Sequence, residues 1–537
     1  MRLHPRLWLV VVALAATTIW VTPAWAAFDD VPAGGPEAIQ MAALSAAPAV
    51  VTPLKTGCGS TSQQTTVSLS WTDSQSGTLD ASGASLVSGY TVSRASASGG
   101  PFSNALTVSG NPPPTSGTDT PTVASTGALV ADATAAGSKL IYPYTESTLT
   151  TGTGIAIGTS GTEPNALQIT PDGTTAVLAE STSGQVQVLT WSGTTWSVAK
   201  TLTLANAIAV AITPTTNGAG HYVAYVVTDP AANTNGTVVP VTLNGASSAL
   251  GTAIAVQHQG DPTAITVTPN GQEVYLANYG SGTVSAIATA TSAVTTIALP
   301  GTTPGPIALT ATPDSSHVYV ADRANGYVDD IVVSTNTVST HIALPANSLK
   351  DTILTTSGNP NVLAMLPTGL DLYIAEFGSA QVQEVSTALA STPDVIAATV
   401  ATGAGTEPID LAMSPNGCSV YVADWPTNAI FAINTATNAR STAFTATCET
   451  QDPQPMEVTP DNAYLLVPEN YNCGDLQIYN TSTAAVTTLN TVGAHPGQVA
   501  IQPVDLWYEV TATHSLWSSS PSAAVMTAIG WNPGGWQ

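Results

Sequence analysis

The stretch GDPTAITVTPNGQEVYLANYGSGTVSAIATATSAV, residues 260–294, decides the fold of this chain. An apolar run, Ala264–Val267, leads into Pro-Asn-Gly, which suits a tight turn between two strands. Three further runs with strand spacing follow, Glu273–Ala277, Thr283–Ile287 and Val294–Ala298. Apolar residues that alternate along a run predict strands. The stretch therefore predicts one antiparallel sheet of four strands.

The same arrangement recurs at intervals of roughly 40 to 55 residues, a repeat length typical of β-propellers. Its marker is the proline of the first turn, which occurs at Pro171, Pro214, Pro269, Pro313, Pro367, Pro415 and Pro460. Seven markers predict an all-β fold with a seven-bladed β-propeller. Six or eight blades stay open, because Pro503 follows another strand-like run, Gln498–Gln502. One blade cannot bury both of its faces alone, so the array is expected to close into a ring.

These repeats resemble the YVTN/YncE-type surface-layer propeller repeats. The resemblance is carried by residues 260–294 and by EPIDLAMSPNGCSVYVADWPTNAIFAINTATNA, residues 407–439, and it extends over roughly 140–503. It implies the propeller fold. It implies little about function, because such propellers include surface proteins, lactonase-like enzymes and binding modules.

The two ends of the chain predict a second domain. VSLSWTDSQSG, which starts at Val67, and GYTVSRASASGGPFSNALTV, residues 89–108, resemble the first half of a fibronectin type III sandwich. LWYEVTATHSLWSSSPSAAVMTA, residues 506–528, resembles its last two strands. We expect a sandwich that is interrupted by the propeller, which is feasible because propeller termini meet where the ring closes. Two unrelated β segments are the alternative.

This interpretation divides the chain into six segments. Residues 1–26 have the features of a secretory signal, with Arg2 and Arg6, an apolar stretch and Ala24-Trp25-Ala26; an uncleaved membrane anchor is the alternative. The other segments are a flexible arm (27–50), the first half of the sandwich plus a linker rich in Pro, Thr, Ser and Gly (51–136), the propeller (137–503), the closing strands of the sandwich (504–529) and a tail of unassigned role (530–537).

The charge balance limits the partners. The first 26 residues hold two of the nine basic residues and none of the 34 acidic ones, which leaves the mature chain with a net charge of −27. Nucleic acid and anionic membrane surfaces are therefore disfavoured, because both need Lys and Arg. No other segment has eighteen uninterrupted apolar residues, so we expect no membrane span after signal removal. We expect a secreted or extracellular protein, released or associated with the cell wall.

Two sets of side chains at the ends of the second strands are candidate binding residues. The first set, the acidic ring, consists of Glu180, Asp229, Asn278, Asp322, Glu376, Asp424 and Glu469. Asp and Asn at such positions commonly cap turns by accepting backbone N–H bonds. The alternative is a polar ligand or a calcium-type cation, since carboxylates suit hard cations. No spacing identifies a metal site, and no cofactor is predicted.

The second set, the aromatic rim, consists of Tyr279, Phe377, Trp425 and Tyr471. The first three directly follow a member of the acidic ring, where other repeats have Ser181, Pro230 and Arg323. Only 6% of the residues are aromatic, so their recurrence at one position suggests a platform for sugars or for a protein partner. Packing onto the loops of the neighbouring blade is the alternative.

The four cysteines, Cys58, Cys418, Cys448 and Cys473, match no zinc pattern. Cys448 and Cys473 fall in turns on one face of the same repeat, so they are the candidate disulfide pair; the pairing of Cys58 and Cys418 stays open.

Three functions are consistent with the sequence. The first is a non-enzymatic surface or extracellular protein that binds a polysaccharide or a protein. The second is a lactonase-like or lyase-like enzyme with a cation in the central pocket, for which His258 and His495 are the candidate histidines. The third is a structural component of an envelope layer. The sequence contains no Gly-x-Ser-x-Gly, His-Glu-x-x-His or phosphate-loop motif and leaves the oligomeric state open.

Overall fold

The computed structural model of the chain describes most of the segment predicted to be the propeller and parts of both flanking segments. The described residues are 50–51, 67–71, 89–96, 100–110, 115–119, 121, 123, 126–132, 140–157, 164–229, 236–256, 261–344, 362–387, 393–446, 455–469, 474–490, 492, 496–514, 517–518 and 525–529. Strands dominate this part of the chain, and three single-turn 3₁₀ helices are its only helices: Glu146–Thr148, Gly245–Ser247 and Phe377–Ser379.

Eight antiparallel sheets of four or five strands, here sheets 1 to 8, make up the propeller. Sheets 1 to 7 each come from one continuous stretch of chain, and their strands are adjacent in chain order, except that Ile254–Ala255 of sheet 2 pairs with Thr237–Thr242. Their bounds are, for sheet 1, Pro164–Ile169, Thr175–Glu180, Gln185–Trp191 and Trp196–Thr203; for sheet 2, Ala207–Ile212, Val223–Thr228, Thr237–Thr242, Ala249–Leu250 and Ile254–Ala255; for sheet 3, Pro262–Val267, Glu273–Asn278, Thr283–Ala288 and Val294–Ala298; and for sheet 4, Pro306–Ala311, His317–Asp322, Tyr327–Val332 and Thr337–Ala343. They are, for sheet 5, Leu363–Met365, Asp371–Glu376, Gln381–Ser386 and Val395–Ala401; for sheet 6, Pro408–Met413, Ser419–Asp424, Ala429–Asn434 and Ala439–Thr445; and for sheet 7, Glu457–Val458, Tyr464–Glu469, Asp475–Asn480 and Val486–Leu489.

Sheet 8 joins the two ends of the propeller segment. Its first strand, Pro496–Ile501, pairs with Gly127–Asp132, which precedes every other propeller strand in the chain. Leu140–Thr145 follows in the sheet, and Thr150–Thr151 and Ile155–Ala156 complete its outer edge. The run that precedes Pro503 thus provides an inner strand of an eighth sheet, so the expected count of seven is not confirmed.

The first strands of the eight sheets form a closed ring. Each lies next to the first strand of the following sheet, and Pro496–Ile501 of sheet 8 lies next to Pro164–Ile169 of sheet 1. The residues between neighbouring sheets are apolar and buried; Val177, Val210 and Val226, for example, belong to the core that sheets 1 and 2 share. The fold is therefore a β-propeller, as the repeats predict.

The segment predicted to hold the first half of the sandwich plus a linker (51–136) contains two further strands, Ser116–Asp119 and Gly127–Asp132. The second of these belongs to sheet 8 of the propeller. The reason lies in the short run Ala128–Ala131, whose four apolar residues are buried within sheet 8. The surrounding residues are rich in Pro, Thr, Ser and Gly, which is typical of a linker, so the sequence did not predict this strand, which is needed to close the ring.

Strands from the two ends of the chain also share a sheet. Gly89–Ala95 pairs with Ser103–Ser109 on one side and with Val504–His514 on the other. Trp517–Ser518 and Val525–Ile529 pair with the last of these. A smaller sheet contains Val50–Val51, Val67–Ser70 and Ser116–Asp119. This pairing is what a split sandwich requires; its assignment to the fibronectin type III fold stays a prediction.

One buried core contains residues from both the N-terminal and the C-terminal flanking segments. Leu69, Trp71 and Tyr90 from the N-terminal part pack with Tyr508 and Val510 from the C-terminal part.

Within the described residues, no helix has the length and apolarity that a membrane span requires.

Candidate functional site

The acidic ring lies where the second strand of each sheet ends. In sheets 1, 3, 4 and 6 its member pairs with the proline that begins the first strand, as in Pro306↔Asp322, and a bulge follows that proline. Sheet 8 has the same pair, Pro496↔Asp132. Asp132 is therefore an eighth equivalent residue, which the sequence analysis missed because its repeat is divided between the two ends of the propeller segment.

The side chains of this ring point into the structure. All members are buried apart from the half-buried Asp229. Asp322 accepts hydrogen bonds from the backbone N–H groups of Gly305 (2.8 Å) and Asn325 (3.3 Å). Asp424 accepts one from the backbone N–H of Glu407 and one from the hydroxyl of Thr427. Two ring members therefore bond the turns around them, which is the structural role expected of Asp at such positions.

The glutamates of the ring bond side chains of the following turn or strand. Glu180 accepts a hydrogen bond from the Ser183 hydroxyl (2.6 Å), and Glu376 accepts one from the Gln381 amide. Burial raises the pKa of Glu376, although hydrogen bonds to its carboxylate oppose the effect. These carboxylates fix the local structure at the ends of the second strands, and the role of the ring as a ligand site stays a prediction.

Two members of the aromatic rim lie beside each other, and a third lies apart from them. Phe377 and Trp425 lie 6.2 Å apart between ring centroids, tilted by 42°, and both pack on the core that sheets 6 and 7 share. Tyr279 stays more accessible, with 37% of its surface exposed. Its ring lies against Gly305, where an added Cβ would be 2.9 Å from Tyr279 Cε2. Tyr471 lies outside the described residues.

Sheet 4 contains two His–Asp pairs that the sequence analysis did not identify. His341 Nδ1 lies 2.6 Å from Asp329 Oδ1, and His317 Nδ1 lies 2.7 Å from Asp330 Oδ1. Burial raises the pKa of Asp329, and the nearby Asp322 adds to this effect. The sequence feature that could have indicated these pairs is Tyr-Val-Asp-Asp-Ile-Val in the third strand of sheet 4. The third strand of sheet 3 has Thr-Val-Ser-Ala-Ile-Ala at the equivalent positions.

The remaining candidates are largely outside the described residues. Among the described residues, no group of three or more His, Cys, Asp or Glu side chains could hold a metal ion. His258, His495, Cys448, Cys473 and Cys58 lie outside that part of the chain. Cys418 is buried and disulfide-bonded.

Of three comparisons with known proteins, only the one with solved structures finds matches. No model of a known protein family matches the sequence. No curated protein matches it either. Among solved structures, a dihydro-heme d1 dehydrogenase, NirN, is 11% identical with a TM-score of 0.51, and the match covers 70% of this chain and 74% of that one.

Two further matches have lower TM-scores. A candidate 6-phosphogluconolactonase from Bacteroides uniformis is 15% identical with a TM-score of 0.48, over 70% of this chain and 99% of that one. A protein from Lactobacillus plantarum is 16% identical with a TM-score of 0.47, over 71% and 99%. At such identities the likeness concerns the propeller fold alone.

Proposed function

We propose that this is an exported, non-enzymatic binding protein that recognises a polysaccharide through the propeller face carrying the aromatic rim. The observation that supports the proposal is the exposure of Tyr279. It is one of seven large hydrophobic residues exposed in the described part of the chain, and the only aromatic one among them. An exposed aromatic ring suits a sugar, because it offers an apolar face for stacking and a hydroxyl for hydrogen bonding.

The position of Tyr279 also supports the proposal. It follows the second strand of sheet 3, just as Phe377 and Trp425 follow the second strands of sheets 5 and 6. These three residues are therefore on the same face of the ring. Loops on one face of a repeat protein are where specificity usually resides, since the strands beneath them are rigid.

A binding screen tests the proposal. The mature protein from Ala27 is screened against cell-wall and environmental polysaccharides beside a Tyr279→Ala, Trp425→Ala double variant. The matched control is Leu250→Ala, because Leu250 is as exposed as Tyr279 (37%) but lies on the outer edge of sheet 2. We expect saturable binding that the double variant loses and the control keeps, with circular dichroism unchanged. Binding that the double variant retains, or no binding by the wild type, would contradict the proposal.

A further inference from the structure

We infer that the polysaccharide is acidic, and that Arg323 binds the carboxylate of a uronic acid unit whose ring stacks on Tyr279. The inference rests on the proposed function and specifies its ligand. Arg323 occupies, in sheet 4, the position that Tyr279 occupies in sheet 3 and Phe377 in sheet 5. A cation thus lies between aromatic residues along the same face of the ring.

The guanidinium of Arg323 differs from those of the two other arginines in the described part of the chain. Arg94 pairs with Asp119, and Arg440 donates to the carbonyl of Thr402 and lies over the ring of Phe431. Within the described residues, the half-buried Arg323 side chain makes no ion pair or hydrogen bond. An unpaired cation is unusual in a chain with a net charge of −25, because acidic partners outnumber basic residues almost fourfold.

The carboxylate that precedes Arg323 in the sequence bonds other groups. Asp322 precedes Arg323, but its Oδ1 accepts the backbone N–H groups of Gly305 and Asn325, and its Oδ2 accepts the side-chain amide of Asn325 at 2.7 Å. Asn325 is itself held by the carbonyl of Pro300 at 3.2 Å. These bonds keep Asp322 turned into the sheet and leave the positive charge of Arg323 available to a ligand.

Gly305 brings Tyr279 next to the turn that carries Arg323. The backbone N–H of Arg323 donates to the carbonyl of Gly305 at 2.9 Å. A Cβ at Gly305 would be 2.9 Å from Tyr279 Cε2 and 3.0 Å from the Cβ of Ala324. The aromatic ring and the turn therefore contact the same glycine, and the absence of a side chain there lets them approach. The turn is also closed by a 2.9 Å bond from the N–H of Gly326 to the carbonyl of Asp322.

A uronic acid unit matches both features at once. Arginine offers a planar set of donors that fits a carboxylate through two parallel hydrogen bonds. A uronate carries this carboxylate on the same pyranose ring that stacks on an aromatic side chain, so one sugar unit offers a group to each of the two residues that meet at Gly305. The overall negative charge of the protein does not prevent this contact, because at physiological salt charges beyond about 8 Å are largely screened.

Binding to polygalacturonate, measured against its fully methyl-esterified form, tests the inference. The variants are Arg323→Gln and, as the matched control, Lys200→Gln, since Lys200 lies on the outermost strand of sheet 1. We expect the wild type to prefer polygalacturonate, and Arg323→Gln to weaken that binding about tenfold or more while leaving the weaker binding of the esterified form unchanged. The control is expected to match the wild type.

The outcomes separate this inference from the proposed function. Equal binding of both polymers, unaffected by Arg323→Gln, would overturn the role of Arg323 and leave polysaccharide binding intact. Absence of binding to any glycan would overturn both. Binding of poly-glutamate with the same dependence on Arg323 would overturn the sugar assignment in favour of an acidic peptide.

Discussion

Replacing Glu146 with glutamine is expected to remove a large part of the pH dependence of folding. Glu146 lies in the 3₁₀ helix that follows Leu140–Thr145 of sheet 8, and only 3% of its surface is exposed. Its Oε2 accepts the backbone N–H of Thr126 at 2.9 Å. Burial raises the pKa of Glu146 to about 8, opposed by the Thr126 bond and reinforced by the negative charge of Asp461 in the first turn of sheet 7.

The sign and size of the effect follow from this shift. The folded chain keeps the proton of Glu146 up to about pH 8, whereas the unfolded chain releases it near the ordinary value of 4.5. Folding therefore takes up one proton between these values, and the free energy of unfolding falls as the pH rises. The slope is about 1.4 kcal/mol per pH unit, or about 5 kcal/mol across the whole window. Above pH 8 this contribution is constant.

Glutamine at position 146 removes this fall in the free energy of unfolding with rising pH and preserves the hydrogen bonds of the side chain. Its carbonyl can accept the N–H of Thr126, and its amide can donate towards Asp461. Glu146→Gln is therefore expected to be more stable than the wild type at pH 8 to 9, by up to a few kcal/mol, and to have a shallower pH slope. A remaining slope is expected from Asp505, whose pKa burial raises to about 7, with Asp172 adding to the rise.

Urea unfolding between pH 5 and 9 measures the effect. The wild type is compared with Glu146→Gln and with Asp261→Asn, which removes an exposed carboxylate at a position with φ of 55° that asparagine tolerates. The control is expected to retain the slope of the wild type. Parallel slopes for the wild type and Glu146→Gln would refute the reasoning.

Three further predictions concern the framework. Asp119→Ala is expected to destabilise the chain by about 3 kcal/mol or more in urea unfolding, because it leaves Arg94 and the hydroxyl of Tyr508, which bonds Asp119 at 2.8 Å, without their buried acceptor. Tyr275→Phe is expected to cost about 1 kcal/mol, since the hydroxyl donates across sheets to Asn336 at 2.6 Å; a neutral result would contradict that role. Gly305→Ala is expected to lower the melting temperature and to alter the fluorescence of the protein by displacing Tyr279; an unchanged melting temperature would show that the contact is not tight.

The repeats predict the strands of sheets 1 to 7 well, because each sheet is continuous in the chain and its turns have a distinct chemistry. The marker prolines all lie between the first and second strands. Sheet 8 was harder to predict, since Gly127–Asp132 has no proline turn of its own and pairs with a strand more than 300 residues away. Periodicity identifies local hairpins but carries no information on such a distant pairing.

The sequence predicts where the acidic ring lies in the fold but not what its side chains contact. In the structure, the acidic ring and three members of the aromatic rim, Tyr279, Phe377 and Trp425, lie at the ends of second strands; their role in binding stays a prediction. It does not show that Asp322 points inward, because that depends on the backbone N–H of Gly305, which belongs to the connection from sheet 3. The same bonds determine the environment of Arg323. The sequence alone therefore does not show that the Arg323 guanidinium is left without an acidic partner by Asp322.

Hydroxyl-radical footprinting of the protein from Ala27 onward, with and without polygalacturonate, tests most directly whether the aromatic face binds polysaccharide. We predict reduced labelling of Tyr279, Phe377 and Trp425 in the presence of the polymer, and unchanged labelling of Leu250 and Val486 on outer strands. Unchanged labelling of the three aromatic residues, or protection confined to the outer strands, would contradict the account.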